Sequence, residues 1–288
     1  MKQTAASHYT LKNGVISEMP VKDMIFNNRE IIYEVFRIEQ GIPLFIDDHL
    51  QRLYSGIHQC GYQLRTDQQK LKLLLSQLAA QSETGSGNIK IKCFFKQRET
   101  KERGYHAYFL PTNYPDNNLY TNGVRCRLLE ESRPLPSVKI ANPALRQLSD
   151  NIIQQENVFE TILHHNGIIT EGSRSNLFFV KGNTLITASD ELVLSGVMRK
   201  KVLQIINEKQ YSIKMTALKV NELSTIDAAF ITGTSPRVLP IREIENLTLN
   251  PSHPIIISLR NGISQLIQIE IKNQLKPTET KKANKKNT

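Results

Sequence analysis

Three groups in the middle of the chain are of a type and spacing that could do chemistry together. Lys139 closes the run Arg133-Pro-Leu-Pro-Ser-Val-Lys139 and is followed by Ile-Ala-Asn142. Glu171 sits farther on in a glycine-bounded turn, Thr170-Glu171-Gly-Ser-Arg-Ser-Asn176. After two strand-like runs, Leu194-Ser-Gly196-Val197-Met198-Arg199 opens a helix. An amine can condense with an aldehyde, and a carboxylate can keep a ring nitrogen protonated. The unpaired N–H groups at a helix start can seat a phosphate. Together these are the requirements of a pyridoxal phosphate site.

The order and spacing of the motifs are similar to those of a known family. Asn-Gly-Ile-Ile-Thr-Glu171-Gly-Ser-Arg-Ser-Asn176-Leu-Phe, then Leu-Ser-Gly196-Val197-Met198-Arg199, resembles the signature E-G-x-x-x-N-x-F followed by L-x-G-(I/V)-x-R. That signature belongs to the class IV aminotransferases, the family of branched-chain and D-amino-acid transaminases and aminodeoxychorismate lyase. The resemblance runs from about Tyr33 to Leu275.

The resemblance implies an α+β chain of fold type IV, with two α+β domains and pyridoxal 5'-phosphate in the cleft between them. It makes Lys139 the imine-forming catalytic residue, whose freed amine acts as both base and acid. Glu171 becomes the partner of the pyridine nitrogen, and the backbone at Val197 and Met198 becomes the phosphate seat. Arg52, in Asp-Asp-His49-Leu-Gln-Arg52-Leu, matches an H-x-x-R-L segment whose arginine grips the phosphate. On a helical wheel it points away from the Leu50/Leu53/Ile57 stripe, toward either a cleft or solvent. Thr234, in Ile-Thr-Gly-Thr234-Ser235-Pro, matches a phosphate-binding hydroxyl. Tyr33, in Ile-Ile-Tyr33-Glu-Val-Phe-Arg37, matches a tyrosine that lines the substrate side. Arg37 is taken as the substrate-binding arginine, although Arg98, Arg103 and Arg237 could also fork onto a carboxylate.

Two departures from the family stand out. Asn27-Asn28-Arg29-Glu30 replaces a Gly-Asp-Gly-like turn, and position 174 is Arg where small or polar residues are common. Neither touches the imine chemistry. The implied activity is exchange of an amino group between an amino acid, branched-chain-like or D, and a 2-oxo acid. The runner-up is aminodeoxychorismate lyase, releasing pyruvate and 4-aminobenzoate. Arg103-Gly104-Tyr105 is similar to lyase-like members, but a lyase-type threonine is expected near Val35, and valine transfers no proton. A third reading is an inactive binding protein on the same fold, which the intact Lys139 and Glu171 oppose. The family also implies a homodimer.

The elements that must position these groups are read from periodicity. Glu30–Ile38 and Gly41–Ile46 read as strands. Leu50, Leu53, Tyr54 and Ile57 predict a helix over His49–Cys60; Leu71, Leu74, Leu75 and Leu78 predict another over Thr66–Gln81. Strands follow at Asn88–Lys96 and Tyr105–Leu110. The turn-rich stretch from Pro111 is the expected linker, dividing residues 1–110 from 120–275 at 111–119. Beyond it, strands are expected at Val124–Leu129, Val158–His164, Ile168–Thr170, Leu177–Val180 and Thr184–Thr187. Asn166-Gly167 and Gly182-Asn183 signal hairpins. A helix over Met198–Lys209, strands at Ser212–Leu218, Ala228–Thr232 and Arg237–Ile241, and a helix over Pro254–Lys272 complete the pattern.

Composition excludes several classes. At 288 residues the chain has ample core for one large or two modest domains. No apolar run approaches a membrane span, and Met-Lys-Gln-Thr-Ala-Ala-Ser-His lacks the apolar core of a secretory signal. Cys60, Cys93 and Cys126 form no metal or disulfide pattern, so no metal and a cytoplasmic location are expected. The net charge of +10 could point to nucleic acid. However, five lysines against one glutamate lie in residues 276–288, a tail with no apolar anchor and expected to be disordered. Nucleic acid is therefore not an expected partner; small amino and oxo acids are.

Overall fold

The computed structural model describes residues 3–4, 8–18, 30–96 and 104–275. Two sheets divide the chain. The first has six strands in the order β3-β2-β7-β6-β4-β5: β2 (Tyr9–Lys12), β3 (Val15–Glu18), β4 (Glu30–Glu39), β5 (Ile42–Pro43), β6 (Gly87–Phe95) and β7 (Gly104–Leu110). Helices α1 (Ile46–Gln59) and α2 (Gln68–Ala79) belong to this half. A short pair, β1 (Gln3–Thr4) with β8 (Thr112–Asn113), stands apart.

Alternation along β4 sorts its side chains. Ile32, Glu34, Phe36 and Ile38 are buried, whereas Tyr33, Val35, Arg37 and Glu39 are half-buried on the opposite face. Ile32, Phe36 and Ile38 share one core with Leu50, Leu53 and Ile57 of α1 and with Leu71, Leu75 and Leu78 of α2. The i, i+3, i+4 stripe read from the sequence is thus the buried stripe. Asp67 caps α2 by accepting from Lys70 N at 2.9 Å.

The second sheet has nine strands. Their order is β11-β10-β9-β16-β15-β12-β13-β14, with β17 (Leu247–Thr248) beside β16. The strands are β9 (Val124–Glu130), β10 (Glu160–His165), β11 (Ile168–Gly172), β12 (Asn176–Lys181), β13 (Thr184–Thr187), β14 (Ser212–Met215), β15 (Ala228–Gly233) and β16 (Arg237–Ile244). Helix α3 (Asn117–Asn122) packs near β16, and α4 (Pro143–Gln155) near β10. Helices α5 (Val197–Glu208) and α6 (Pro254–Leu275) pack on each other through Val202, Ile205, Leu259 and Ile263, over Phe178 and Phe230. Asn166 and Gly167 turn the β10–β11 hairpin with φ of 49° and 74°, as a type I′ turn requires.

The elements differ from the sequence reading at several places, among them the β2–β3 hairpin, which that reading lacks. Gly41–Ile46 is only a two-residue strand, because Phe45 takes a left-handed φ of 52° and α1 starts directly after it. The strand expected to Leu218 ends at Met215. Residues 111–119 are not bare linker: they hold β8, and Asp116 caps α3 through Leu119 N. Helix α4 is absent from the sequence reading, although Asn142 caps it through Leu145 N and Pro143 opens it. Only Leu145 and Ser149 of α4 are buried, so its apolar stripe is too sparse to read. Among the described residues, no helix is long and apolar enough to cross a membrane.

Candidate active site

The loop between β9 and α4 carries Lys139, and backbone bonds hang it on β4 of the other sheet. Tyr33 N donates to Lys139 O at 3.1 Å, and Ala141 N donates to Ile31 O at 2.9 Å. Val138, beside it, plugs into the first core against Gly56, where a Cβ would lie 3.0 Å from Val138 Cγ1. Lys139 Nζ then stands 4.9 Å from the centroid of the Tyr33 ring. Its positive charge lowers the pKa of the Tyr33 phenol more than burial raises it, with Arg133, Lys90 and Arg146 acting in the same direction.

Glu171 is the penultimate residue of β11, inside the strand rather than after it, and is 2% exposed. Its Oε2 accepts from Asn176 Nδ2 at 3.2 Å and from Leu194 N at 3.1 Å. Arg133 Nε pairs with Oε1 at 2.8 Å, and Oε1 has no well-aligned hydrogen bond besides this ion pair. Burial raises the Glu171 pKa; Arg133, the Leu194 N–H and Lys139 oppose it. A second buried carboxylate, Glu160, folds the following turn. It accepts from Ser173 Oγ at 2.6 Å, Ser175 Oγ at 3.0 Å and Arg174 N at 3.2 Å. The turn leaves no room at Gly172, where a Cβ would overlap Ser175 Oγ.

Helix α5 begins at Val197 with Gly196 as its N-cap, and no side chain caps it. The first N–H groups of a helix have no partner within it, and the dipole makes them an anion seat. Arg52 on α1 reaches this turn, donating Nη1 to Ser195 O at 3.2 Å. Its Nε and Nη2 both go to Glu34, a β4 carboxylate that also meets His49 Nδ1 at 2.9 Å. Burial alone would push the Glu34 carboxyl up, but the Arg52 charge and the hydrogen bonds from His49 and Arg52 hold it at about 2. Thr234, just past β15, donates its hydroxyl to Val35 O at 3.2 Å.

Arg37 shares a face of β4 with Tyr33. It stands four residues along β4 from Tyr33, roughly 13 Å at strand rise. Its Nε is 2.8 Å from Glu39, its guanidinium carbon lies 3.7 Å over the Tyr114 ring, and Nη1 donates to Ser235 O at 3.2 Å. Arg237 pairs with the same Glu39. Arg37 and Arg237 line one cavity with His49, Met198 and Thr234. Arg174 is exposed and 3.6 Å from Asp150. Arg98, Arg103 and Asn27-Asn28-Arg29 lie outside the described residues.

The structure thus brings Lys139 within electrostatic reach of both Tyr33 and Glu171, with Arg52, Val197 and Met198 at the adjoining helix start. Sequence reasoning assigns no role to Glu34, Arg133 or Glu160. Asn176 is visible there only as a motif letter.

This arrangement is that of a family. The sequence model described as Amino-transferase class IV matches residues 31–244, and the chain belongs to the class IV aminotransferases. D-alanine aminotransferase of Bacillus licheniformis is 28% identical over 258 residues, covering 85% of this chain and 91% of its own length. The branched-chain amino acid aminotransferase of Escherichia coli superposes with a TM-score of 0.80. The two are 16% identical, with 92% and 96% of the chains covered. A Legionella pneumophila protein proposed to be 4-amino-4-deoxychorismate lyase gives 0.73 at 21% identity, with 82% and 91% covered.

The cofactor of this family is pyridoxal 5'-phosphate, and another branched-chain aminotransferase of similar fold was solved with N-(5'-phosphopyridoxyl)-L-glutamate. The residues present here fit the cofactor. Buried Glu171, whose Oε1 has no well-aligned hydrogen bond, suits a protonated ring nitrogen, and the uncapped α5 N-terminus beside Arg52 suits a phosphate.

Proposed function

We propose that the chain transfers the amino group of a D-amino acid to a 2-oxo acid. The observation that carries the transaminase reading is the buried Glu171 carboxylate, ion-paired with Arg133 and held within reach of the Lys139 charge. When bound, the cofactor supplies an aldehyde for the amino group and a pyridinium ring that takes up electron density from Cα. Lys139 Nζ would take the proton from the substrate Cα and pass it to the former aldehyde carbon of the cofactor, and would carry it back in the half-reaction with the 2-oxo acid, so a single amine serves both directions of exchange. Glu171 keeps the ring nitrogen protonated. Arg52, the Val197 and Met198 N–H groups and Thr234 hold the phosphate, while Tyr33 walls the substrate side. Arg37 braces the Thr234–Ser235 turn through Ser235 O.

The D-amino-acid preference rests on likeness to the D-alanine aminotransferases. Val35, half-buried on the cleft face of β4 and with no proton to transfer, favours exchange over lyase chemistry. We further place the enzyme in the cytoplasm as a homodimer, which light scattering at micromolar concentration would reveal as twice the chain mass.

The test is amino transfer to 2-oxoglutarate from D-alanine, L-leucine and aminodeoxychorismate. Faster transfer from D-alanine is expected. Preference for L-leucine would remove the D assignment, and pyruvate release from aminodeoxychorismate without exchange would replace it with the lyase.

A further inference from the structure

A second amine faces Tyr33. Lys90 lies on β6, paired with Val35 of β4 and Tyr108 of β7, so its side chain shares the cleft face with Tyr33. From there it leans along the diagonal, and Nζ comes to 4.7 Å from the Tyr33 ring centroid. Lys139 Nζ is 4.9 Å from the same centroid. One phenol ring therefore contacts both the amine assigned to catalysis and an amine with no assigned role.

Lys90 is the uncommitted cation of this region. Arg133 is held by Glu171 and Arg146 by Asp150 at 3.2 Å. No carboxylate pairs with Lys90 among the described residues, and the largest influence of opposite sign on it is the Tyr33 phenol. The other charges that reach it, Lys92, Arg146 and Lys139, are all positive. Burial also works against its ammonium form. A half-buried ammonium among like charges is unfavourable by itself, and an anion placed beside it gains from every one of those charges. The amino acids and oxo acids of the proposed reaction are such anions.

We propose that Lys90 is a specificity-determining residue that grips a carboxylate of the bound amino acid or 2-oxo acid beside Tyr33. This rests on the reading of Lys139 as the reacting amine. The carboxylate is either the one on Cα or a distal one on an acidic side chain, and substrate choice separates the two.

The experiment compares wild type, Lys90→Met and Lys90→Arg, each loaded with cofactor, on D-alanine, D-glutamate and the carboxylate-free amine 2-aminobutane. Lys90→Met is expected to lower kcat/KM by about 10- to 100-fold, the scale of one lost charge-assisted hydrogen bond. Lys90→Arg should restore most of it. A fall shared by D-alanine and D-glutamate identifies the α-carboxylate; a fall for D-glutamate alone identifies the distal one. In both cases 2-aminobutane should react as before. Unchanged kinetics with both amino acids, or an equal fall with 2-aminobutane, would overturn the proposal.

Calorimetric titration of glutarate reads Lys90 without turnover. Binding should weaken at least about tenfold in Lys90→Met, and equal affinity in the two proteins would also overturn the proposal. Wild type that binds glutarate but transfers no amino group would instead count against the transaminase reading.

Discussion

Arg52 meets the carboxylate of Glu34 at 2.7 Å through both Nε and Nη2. This fork–fork pair leaves Nη1 as the nitrogen that reaches the α5 turn, at Ser195 O. Glu34 faces the first core, yet through Arg52 it sets how a cation is presented to the start of α5, the proposed phosphate seat, in the other half of the chain. A lysine at position 52 could supply the charge but not the geometry.

Replacing Glu34 by Gln should therefore weaken cofactor binding by about 10- to 100-fold, measured by equilibrium dialysis. It should also cost roughly 3–5 kcal/mol of stability, because Arg52 and His49 lose their charge partner. The pH dependence follows from the depressed carboxyl. Its contribution to stability is complete above the usual carboxyl pKa of 4.5 and is lost as pH falls toward about 2. Acid unfolding of the Gln variant should be flatter across that window. An unchanged slope would mean that Glu34 is not the group titrating there.

Gly196→Ala tests the seat from the other side. Its Cβ would overlap Asn176 Oδ1, and Asn176 ties Glu171 Oε2 to Leu194 O. Overpacking should cost about 1–3 kcal/mol and shift Asn176 off Glu171. Adding Asn176→Ala returns the space, so the double variant should be less destabilised than the two single losses combined. Simple additivity in thermal unfolding would show that the two positions do not compete.

Lys139→Ala should abolish covalent capture. Borohydride reduction of the loaded protein followed by peptide mapping should find the cofactor on Lys139 and nowhere in the variant. An adduct on Lys90, the other amine against Tyr33, would reverse the two roles.

Which parts of this are legible in the sequence depends on the range of the interaction involved. Local periodicity reveals α1, α2, α5 and α6, and Asn166-Gly167 announces its hairpin. The same signal at Asn13-Gly14, with φ of 48° and 94°, turns β2 into β3 but is hard to recognise because its flanking runs are short and polar. In the site, Lys139, Glu171 and Gly196 are readable because each lies in a distinctive local motif. Glu34, Arg133 and Lys90 are not, because they gain meaning only where β4, the 131–142 loop and β6 meet.

Glu171→Gln separates holding the cofactor from using it. Arg52, Thr234 and the Val197 and Met198 N–H groups lie away from residue 171, so affinity should stay within about tenfold of wild type. The Gln side chain can still accept at Oε1, but it carries no charge to keep a ring nitrogen protonated, and proton removal at Cα should slow by several orders of magnitude. Arg133 makes the contrast sharper. In wild type its charge opposes the rise that burial imposes on the Glu171 carboxyl and so favours the anion. In the variant the same guanidinium, still hydrogen-bonded to Ser173 O at 2.5 Å, would face a neutral amide and disfavour a neighbouring cation. Arg133→Met alone should therefore slow exchange, by leaving Glu171 more often protonated. Added to Glu171→Gln, it should recover part of the lost rate. Single-turnover kinetics with D-alanine read both effects, and wild-type turnover in Glu171→Gln would refute the role assigned to this carboxylate.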